Sequence, residues 1–149
     1  MTIRIISVGN KPRPSHNELI TTYERRLPRH ISLNWLFVKH GVGEARTSMQ
    51  DEAEKILKNI PPDNIVVLLD ERGESLSTKQ FTHKFITPNK NLTFIVGGAY
   101  GVSGAIRKRA DFIISISSFV LPHQLVRLIL VEQIYRGYTI DAGHPYHHS

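Results

Sequence analysis

The chain contains no cysteine. That excludes a disulfide framework, a thiolate metal site and a thiol nucleophile. No run approaches the ~18 consecutive apolar residues of a membrane span, and the expectation is no membrane partner. The opening, Met1-Thr2-Ile3-Arg4-Ile5-Ile6-Ser7-Val8-Gly9, holds an apolar run too short for a signal-peptide core, and Arg4 interrupts it. A soluble, cytoplasmic protein is expected. Repeats, low-complexity stretches and internal boundaries are absent, so residues 1–149 are expected to form one domain. Acidic residues are the scarcer charge, 13 against 19 Lys and Arg, which leaves a net charge of +6 and a pI of about 9.8. That balance favours a polyanionic partner such as RNA or DNA, although a merely basic surface produces it too.

The chain that remains alternates apolar runs with helical patterns. Ile3 to Val8 is rich in β-branched residues and stops at Gly9-Asn10, a strand and turn signal. Lys11-Pro12-Arg13-Pro14 cannot be helix interior, because proline lacks the amide donor. Ser15 is placed to cap a helix from His16 to about Leu27, with Glu18 completing a capping box. Leu19, Ile20, Tyr23 and Leu27 share its inner face. Arg25, Arg26, Arg29 and His30 either complement the helix dipole or form a phosphate-contacting patch with Lys11 and Arg13. Ile31 to Val38 reads as a second strand. Ser48 to Ile60 reads as an amphipathic helix with Met49, Ala53, Ile56, Leu57 and Ile60 inward.

Ile65 to Leu69 is a continuous apolar run, as in a strand covered on both faces. It is expected to end in a turn over Asp70 to Glu74. Ser77 is placed to cap a short helix holding Phe81, Phe85 and Ile86. Leu92 to Val96 is another buried strand. Val102 to Ala110 reads as a short basic helix carrying Arg107, Lys108 and Arg109, and Phe112 to Ser115 as the last strand. Strands alternating with helices mean an α/β domain with a mostly parallel sheet flanked by helices.

Ligands bind at the carboxyl ends of strands in such sheets. Three ends carry suggestive residues: after Leu69, after Val96 and after Ser115. The turn Val96-Gly97-Gly98-Ala99-Tyr100-Gly101 is either a tight turn or a cradle. Gly97, Gly98 and Gly101 can adopt angles closed to other residues and expose backbone amides to a ligand such as an adenosine derivative. It is not the dinucleotide fingerprint, and no phosphate-loop lysine is present.

Pro122 to about Tyr138 reads as an apolar helix, with Pro122 in its first turn. Apolar residues run nearly all the way round it, so both sides are expected to be buried, one against the sheet and one against a second subunit or more of the core. Arg127 falls inside this run. A buried arginine is rare without a partner, so it is either ion-paired or aimed at an anionic ligand. Glu132 and Arg136 have the spacing of a helix ion pair. His123 is a base or a helix cap. His144, His147 and His148 beside Tyr146 do not read as a metal site, since no cysteine accompanies them, and the expectation is no metal.

Val96-Gly97-Gly98-Ala99-Tyr100-Gly101, Leu121-Pro122-His123-Gln124-Leu125-Val126-Arg127, Glu132-Gln133-Ile134-Tyr135-Arg136 and His144-Pro145-Tyr146-His147 stand in this order. With Ile5 to Gly9 and Tyr23 to Leu27, they give the whole chain a resemblance to the ribosomal RNA large subunit methyltransferase H family. Its members are bacterial pseudouridine-N3 methyltransferases of the SPOUT, or α/β-knot, superfamily. The resemblance implies a C-terminal deep trefoil knot, which sequence rules alone would not suggest, and a homodimer packed through it. It implies S-adenosylmethionine bound at Leu69, at Gly97, and along Ile116, Ser117, Ser118, Phe119, Val120 and Leu121. The implied substrate is a pseudouridine of 23S rRNA in the assembled ribosome. The family usually ends in a basic residue after its Tyr-His pair; here His148 and Ser149 stand in that place.

On that reading N3 of the base must lose a proton before it is methylated. Arg127 is the candidate to stabilise charge on the neighbouring carbonyl. His123, His144 and His147 are alternative proton acceptors, and the tail residues would act across the dimer. Lys11, Arg13, Arg25, Arg26, Arg107, Lys108 and Arg109 are candidates for RNA phosphate. The rival from another class is a non-catalytic RNA- or nucleotide-binding module on the same sheet. A superfamily methyltransferase acting on 2′-hydroxyls or on tRNA is the enzymatic rival.

Overall fold

The computed structural model describes residues 1–98 and 100–148. Ala99 of the glycine turn and the terminal Ser149 lie outside the described residues. Five strands form one sheet: β1 (Thr2–Val8), β2 (Ser32–Val38), β3 (Ile65–Ser75), β4 (Leu92–Val96) and β5 (Phe112–Ser115). All pairs are parallel, in the order β2-β1-β4-β3-β5. The apolar runs are therefore strands buried on both faces, and every strand delivers its carboxyl end to the same edge of the sheet.

Strand alternation divides the core in two. Ile3, Ile5, Val67, Leu69 and Phe94 point to one face, where they meet Ile20 of α1 (Pro14–Arg26), Phe81 of α3 (Thr78–Phe81), and Leu130, Val131 and Ile134 of α5 (His123–Asp141). Phe85 and Ile86, from a π-helical turn that continues α3, complete that layer. Ile6, Val8, Val66, Leu68 and Ile95 point to the other face. They pack against Ala53 and Ile56 of α2 (Ala45–Leu57) and Ile106 of α4 (Gly104–Arg109). Burying one such aliphatic side chain is worth roughly 1.5–3 kcal/mol, so the two layers supply most of the drive to fold.

Several local expectations are corrected. Ser15 does not cap α1; the helix starts two residues earlier than expected, with Pro14 in its first turn, and Arg13 at the cap position makes no side-chain cap bond. The fixed φ of Pro14 suits that place, and its missing N–H costs nothing there. Leu19 is half exposed, and only Ile20 of α1 is fully buried. The second helix begins at Ala45, so Ser48 is a buried residue within it. Ser77 does cap α3, in a reciprocal capping box with Gln80.

The largest difference is β3. It does not end at Leu69 but runs on to Ser75, with a register shift between Leu69 and Glu74 opposite β5. Gly73 permits this. A Cβ there would lie 2.6 Å from the backbone carbon of Ile114, so only glycine allows the strands to approach. Helix α5 is longer than expected and crosses back from the β5 edge to lie against α1 and the α3 segment. Its inner face buries Leu130, Val131, Ile134, Tyr135 and Thr139, and Gly137 sits against Ile86 and Thr82. Its apolar character is not fully used within the chain, since Leu125 is exposed and Leu128 and Ile129 are only half-buried.

Candidate functional site

A cavity of about 610 Å³ opens at the carboxyl ends of β3, β4 and β5. Leu69, Asp70, Glu71 and Arg72 form one wall; Val96, Gly97, Gly98, Tyr100, Gly101 and Val102 form the second. Ser115, Ile116, Ser117, Phe119, Val120, Leu121, Pro122, His123 and Val126 form the third. The three strand ends singled out in the sequence thus converge on one space. Ser118 is the one residue of the 116–121 loop that does not line it. Asp70, Glu71, Arg72, Val102, Pro122 and Val126 line it without having been expected. The first three were hidden by the apparent turn after Leu69.

The glycines have distinct jobs. A Cβ on Gly97 would sit 2.7 Å from Val102 Cγ1, too close to coexist with it. Gly101 has a φ of +80°, a conformation glycine adopts at no cost, and its amide donates to the Gly98 carbonyl at 3.0 Å. The turn is therefore both tight and open-faced. Opposite it, Ser115 Oγ donates to the Ser117 carbonyl and the Phe119 amide donates to Ser117 Oγ, which folds the loop over the cavity. Phe119, Val120 and Tyr100 stand exposed at the rim.

The Asp70 carboxylate is the fixed charge of the first wall. It pairs with Arg107 and accepts from the Arg72 amide at 2.8 Å. Burial pushes its pKa upward, but the Arg72 amide and the Arg107 guanidinium outweigh that, and its carboxyl titrates below the ordinary value of 3.8.

Arg127 is fully buried and makes no ion pair among the described residues. Its Nε donates to Ser7 Oγ at 2.7 Å, one terminal nitrogen to the Asn10 carbonyl at 2.7 Å, and the other to the Val8 carbonyl at 3.2 Å. Its guanidinium lies over the Phe37 ring at 5.0 Å. Three oxygens at the end of β1, the Ser7 hydroxyl and the Val8 and Asn10 carbonyls, are thus served by one planar fork, which ties α5 to β1. Burial lowers the guanidinium from its ordinary pKa.

His123 lines the cavity one turn before Arg127. Burial, then Arg127, then His40 all lower its pKa, which favours the neutral ring. His144 and His147 are elsewhere. Arg136 pairs with Glu132 at 2.5 Å and contacts His147 Nδ1 at 3.2 Å. Tyr146 donates to Glu132 at 3.1 Å and packs edge-on against Tyr135. Its phenol is raised in pKa by burial, then by its hydrogen bond with Tyr23 and the charge of Glu132. This cluster anchors the tail about 20 Å along α5 from His123, at ~1.5 Å per residue. Among the described residues, one chain does not bring the tail to its own cavity.

The basic candidates also separate. Lys11, Arg13, Arg25, Arg26 and Lys108 are exposed. Arg26 lies over the Tyr23 and Tyr135 rings. Arg107 is committed to Asp70, and Arg109 lies 3.7 Å from Asp111.

Comparison with known proteins decides the family. A family profile described as "Predicted SPOUT methyltransferase" matches residues 1–147. The ribosomal RNA large subunit methyltransferase H of Geotalea daltonii is 37% identical over 154 residues, covering 99% of this chain and all of the relative. The proteins of the same name from Carboxydothermus hydrogenoformans and Geobacter sp. strain M21 are each 38% identical, over 158 and 155 residues. They cover 99% and 100% of this chain, and 99% and 100% of their own lengths. The chain belongs to the SPOUT methyltransferases. Within them it belongs to the ribosomal RNA large subunit methyltransferase H family. The parallel sheet, the glycine turn and the cavity at the strand ends are thus features of a SPOUT methyltransferase domain. Among the described residues no helix is long and apolar enough to cross a membrane.

Proposed function

We propose that this chain methylates N3 of a pseudouridine in 23S rRNA of the assembled ribosome, with S-adenosylmethionine as methyl donor. The observation that carries the reading is the single cavity joining the glycine turn to the 116–121 loop, in a chain of this family. Its volume of about 610 Å³ falls within the roughly 300–1,000 Å³ of small-molecule sites. Leu69, Gly97, Gly98, Gly101 and residues 116–121 are the candidates to hold the donor. Backbone groups dominate that set, and the bare Gly97 leaves room that any side chain would fill.

When bound, the donor supplies a methyl group on a positively charged sulfur, already reactive toward a nitrogen lone pair. The chain's own residues then have three tasks. They align the base for in-line attack, which supplies much of the rate. They accept the N3 proton, for which His123 stands on the cavity wall in its neutral form. They favour the negative charge spreading onto the base carbonyls. Arg127 does this from beneath, as a buried cation beside His123, while its N–H groups hold β1 and α5 together. The N3 proton would pass to the His123 ring, and N3 would then take the methyl group that the bound donor supplies.

The working unit of the proposal is a homodimer, with the C-terminal passage threaded as a deep trefoil knot. Two features support it: α5 crosses back over the domain with half its apolar residues incompletely buried, and the tail cluster lies far from its own cavity. In a dimer the His144 and His147 of one subunit would serve the cavity of the other. Lys11, Arg13, Arg25, Arg26 and Lys108 are free to meet RNA phosphates, joined by Arg109, whereas Arg107 contributes through Asp70. The cellular setting of the proposal is the cytoplasm.

Calorimetric titration with S-adenosylmethionine, beside Gly97→Val, tests the donor site. Saturable binding that the variant loses, with its circular dichroism unchanged, is expected. A folded wild type that binds no donor, with or without ribosomes, overturns the reading and leaves a binding module.

A further inference from the structure

Beneath the cavity the backbone of Gly9 has a φ of +116° and carries no side chain. Three nitrogen tips converge on the space where its Cβ would be. Arg127 Nη2 is 3.2 Å from that point, His123 Nε2 is 3.3 Å, and His40 Nε2 is 3.5 Å. His40 also reaches the glycine turn, its Cε1 and Nδ1 both 3.3 Å from the Cβ position of Gly98. The two imidazole rings stand edge to face with centroids 6.5 Å apart.

Nothing in the sequence marked His40, which follows β2 in a polar loop. What sets it apart is Glu52 of α2. That carboxylate is only 5% exposed. Its partners are the Gly41 amide at 3.3 Å and His40 Nδ1 at 3.5 Å. A buried carboxylate is costly without compensation, and the side chain this one faces is His40.

The electrostatics of the group are lopsided. Arg127 is a permanent cation held by α5 and β1. Glu52 faces His40 from α2, so the one carboxylate of the group can balance a charge on His40 and not on His123. The charged groups on the far wall, Asp70, Glu71 and Arg72, lie across the cavity from His123, and Asp70 is already paired with Arg107. Arg127 and the His40 ring therefore both stand against His123, with no acid beside it.

We propose that His40, held by Glu52, is a positioning residue that leaves His123 as the neutral imidazole on the cavity wall. Its ring can then accept a proton from the substrate. The link to proton transfer rests on the methyltransferase reading. The charge relation between the two histidines does not, and it is measured in the free protein.

The experiment is an NMR titration of the imidazole signals of the full chain, with His123 assigned by H123N. The wild-type His123 is expected to titrate below the ordinary histidine value. In H40Q the second ring is gone, and the His123 midpoint is expected to move up. In H40K a cation is restored, and the midpoint is expected to return toward wild type. In E52Q the hydrogen bond to Gly41 can persist while the charge behind His40 is lost, and the midpoint is expected to rise. Where methyl transfer is measurable, the acid limb of its pH profile follows the same order. A His123 midpoint that is unchanged in both H40Q and E52Q overturns the proposal. So does a rise in H40K as large as in H40Q, since that shows a packing effect.

Discussion

Replacing Arg127 with methionine should cost stability first and activity as a consequence. The guanidinium is fully buried and its hydrogen bonds reach back to residues 7, 8 and 10 of the chain. Methionine fills similar volume but leaves Ser7 Oγ and the Val8 carbonyl without this donor in a dry place. Each stranded group costs about 1–3 kcal/mol. The variant no longer has to desolvate a cation, which offsets part of that loss. A net destabilisation of ~3 kcal/mol is expected, a large share of the ~5–15 kcal/mol available to a domain. At roughly 2–4 °C per kcal/mol for this size, the thermal midpoint should fall by about 6–12 °C. Arg127→Lys keeps the charge but not the fork, and should lie between. Urea denaturation followed by circular dichroism, at one fixed protein concentration because the proposed unit is a dimer, reads the difference. A loss below ~1 kcal/mol in the methionine variant would refute the claim that Arg127 clasps α5 to β1.

Two further outcomes follow from the same geometry. The Asp70 carboxyl has a lowered pKa in the folded chain, so its stabilisation is complete above its ordinary value of 3.8 and is lost as pH falls through the folded value. The stability gap between the wild type and Asp70→Asn should therefore be widest near neutrality and shrink between about pH 4 and pH 2; a gap independent of pH over that range would contradict the assignment. If the tail of one subunit serves the other's cavity, a chain truncated after Asp141 and a Gly97→Val chain should each be inactive on ribosomes. Refolded together they should recover about a quarter of wild-type activity, because half the dimers are mixed and each has one complete site. No recovery, with mixed dimers present, would place each tail with its own cavity.

What the sequence disclosed were the features set by neighbours in the chain. Apolar runs such as Ile65 to Leu69 and Leu92 to Val96 can only be buried strands, and their ends named the three walls of the cavity. The β3 extension was concealed because Asp70-Glu71-Arg72-Gly73-Glu74 has the composition of a turn. What keeps it a strand is β5, and the need for glycine at position 73 appears only once Ile114 stands 2.6 Å away from its Cβ position. The cap of α1 was misplaced because Ser15 fits a capping box as well as Pro14 fits a first turn, and local rules do not rank the two.

The site shows the same limit. Gly97, His123 and the 116–121 loop were legible as types in a pattern. Whether Arg127 met an acid or a ligand was not, since its partners lie at the other end of the chain. Among the described residues it meets no acid: its N–H groups go to backbone carbonyls, a serine hydroxyl and the Gln124 side chain. His40 carried no signal at all. Its role depends on Glu52, Gly9 and Gly98, which three separate elements bring together. The tail histidines were read as alternatives to His123 that would act across a dimer. The length of α5 separates them, and that distance is what turns a second subunit from an expectation into a requirement of the proposal.

The most direct test of the account is to incubate the protein with assembled ribosomes and isotopically labelled S-adenosylmethionine, then map the labelled nucleoside of 23S rRNA by mass spectrometry. The account predicts one labelled methyl group, on N3 of a pseudouridine, with none transferred by Gly97→Val. Label on a 2′-hydroxyl or on tRNA would contradict the proposed target. No label at all, from a folded protein that binds the donor, would contradict the proposed reaction.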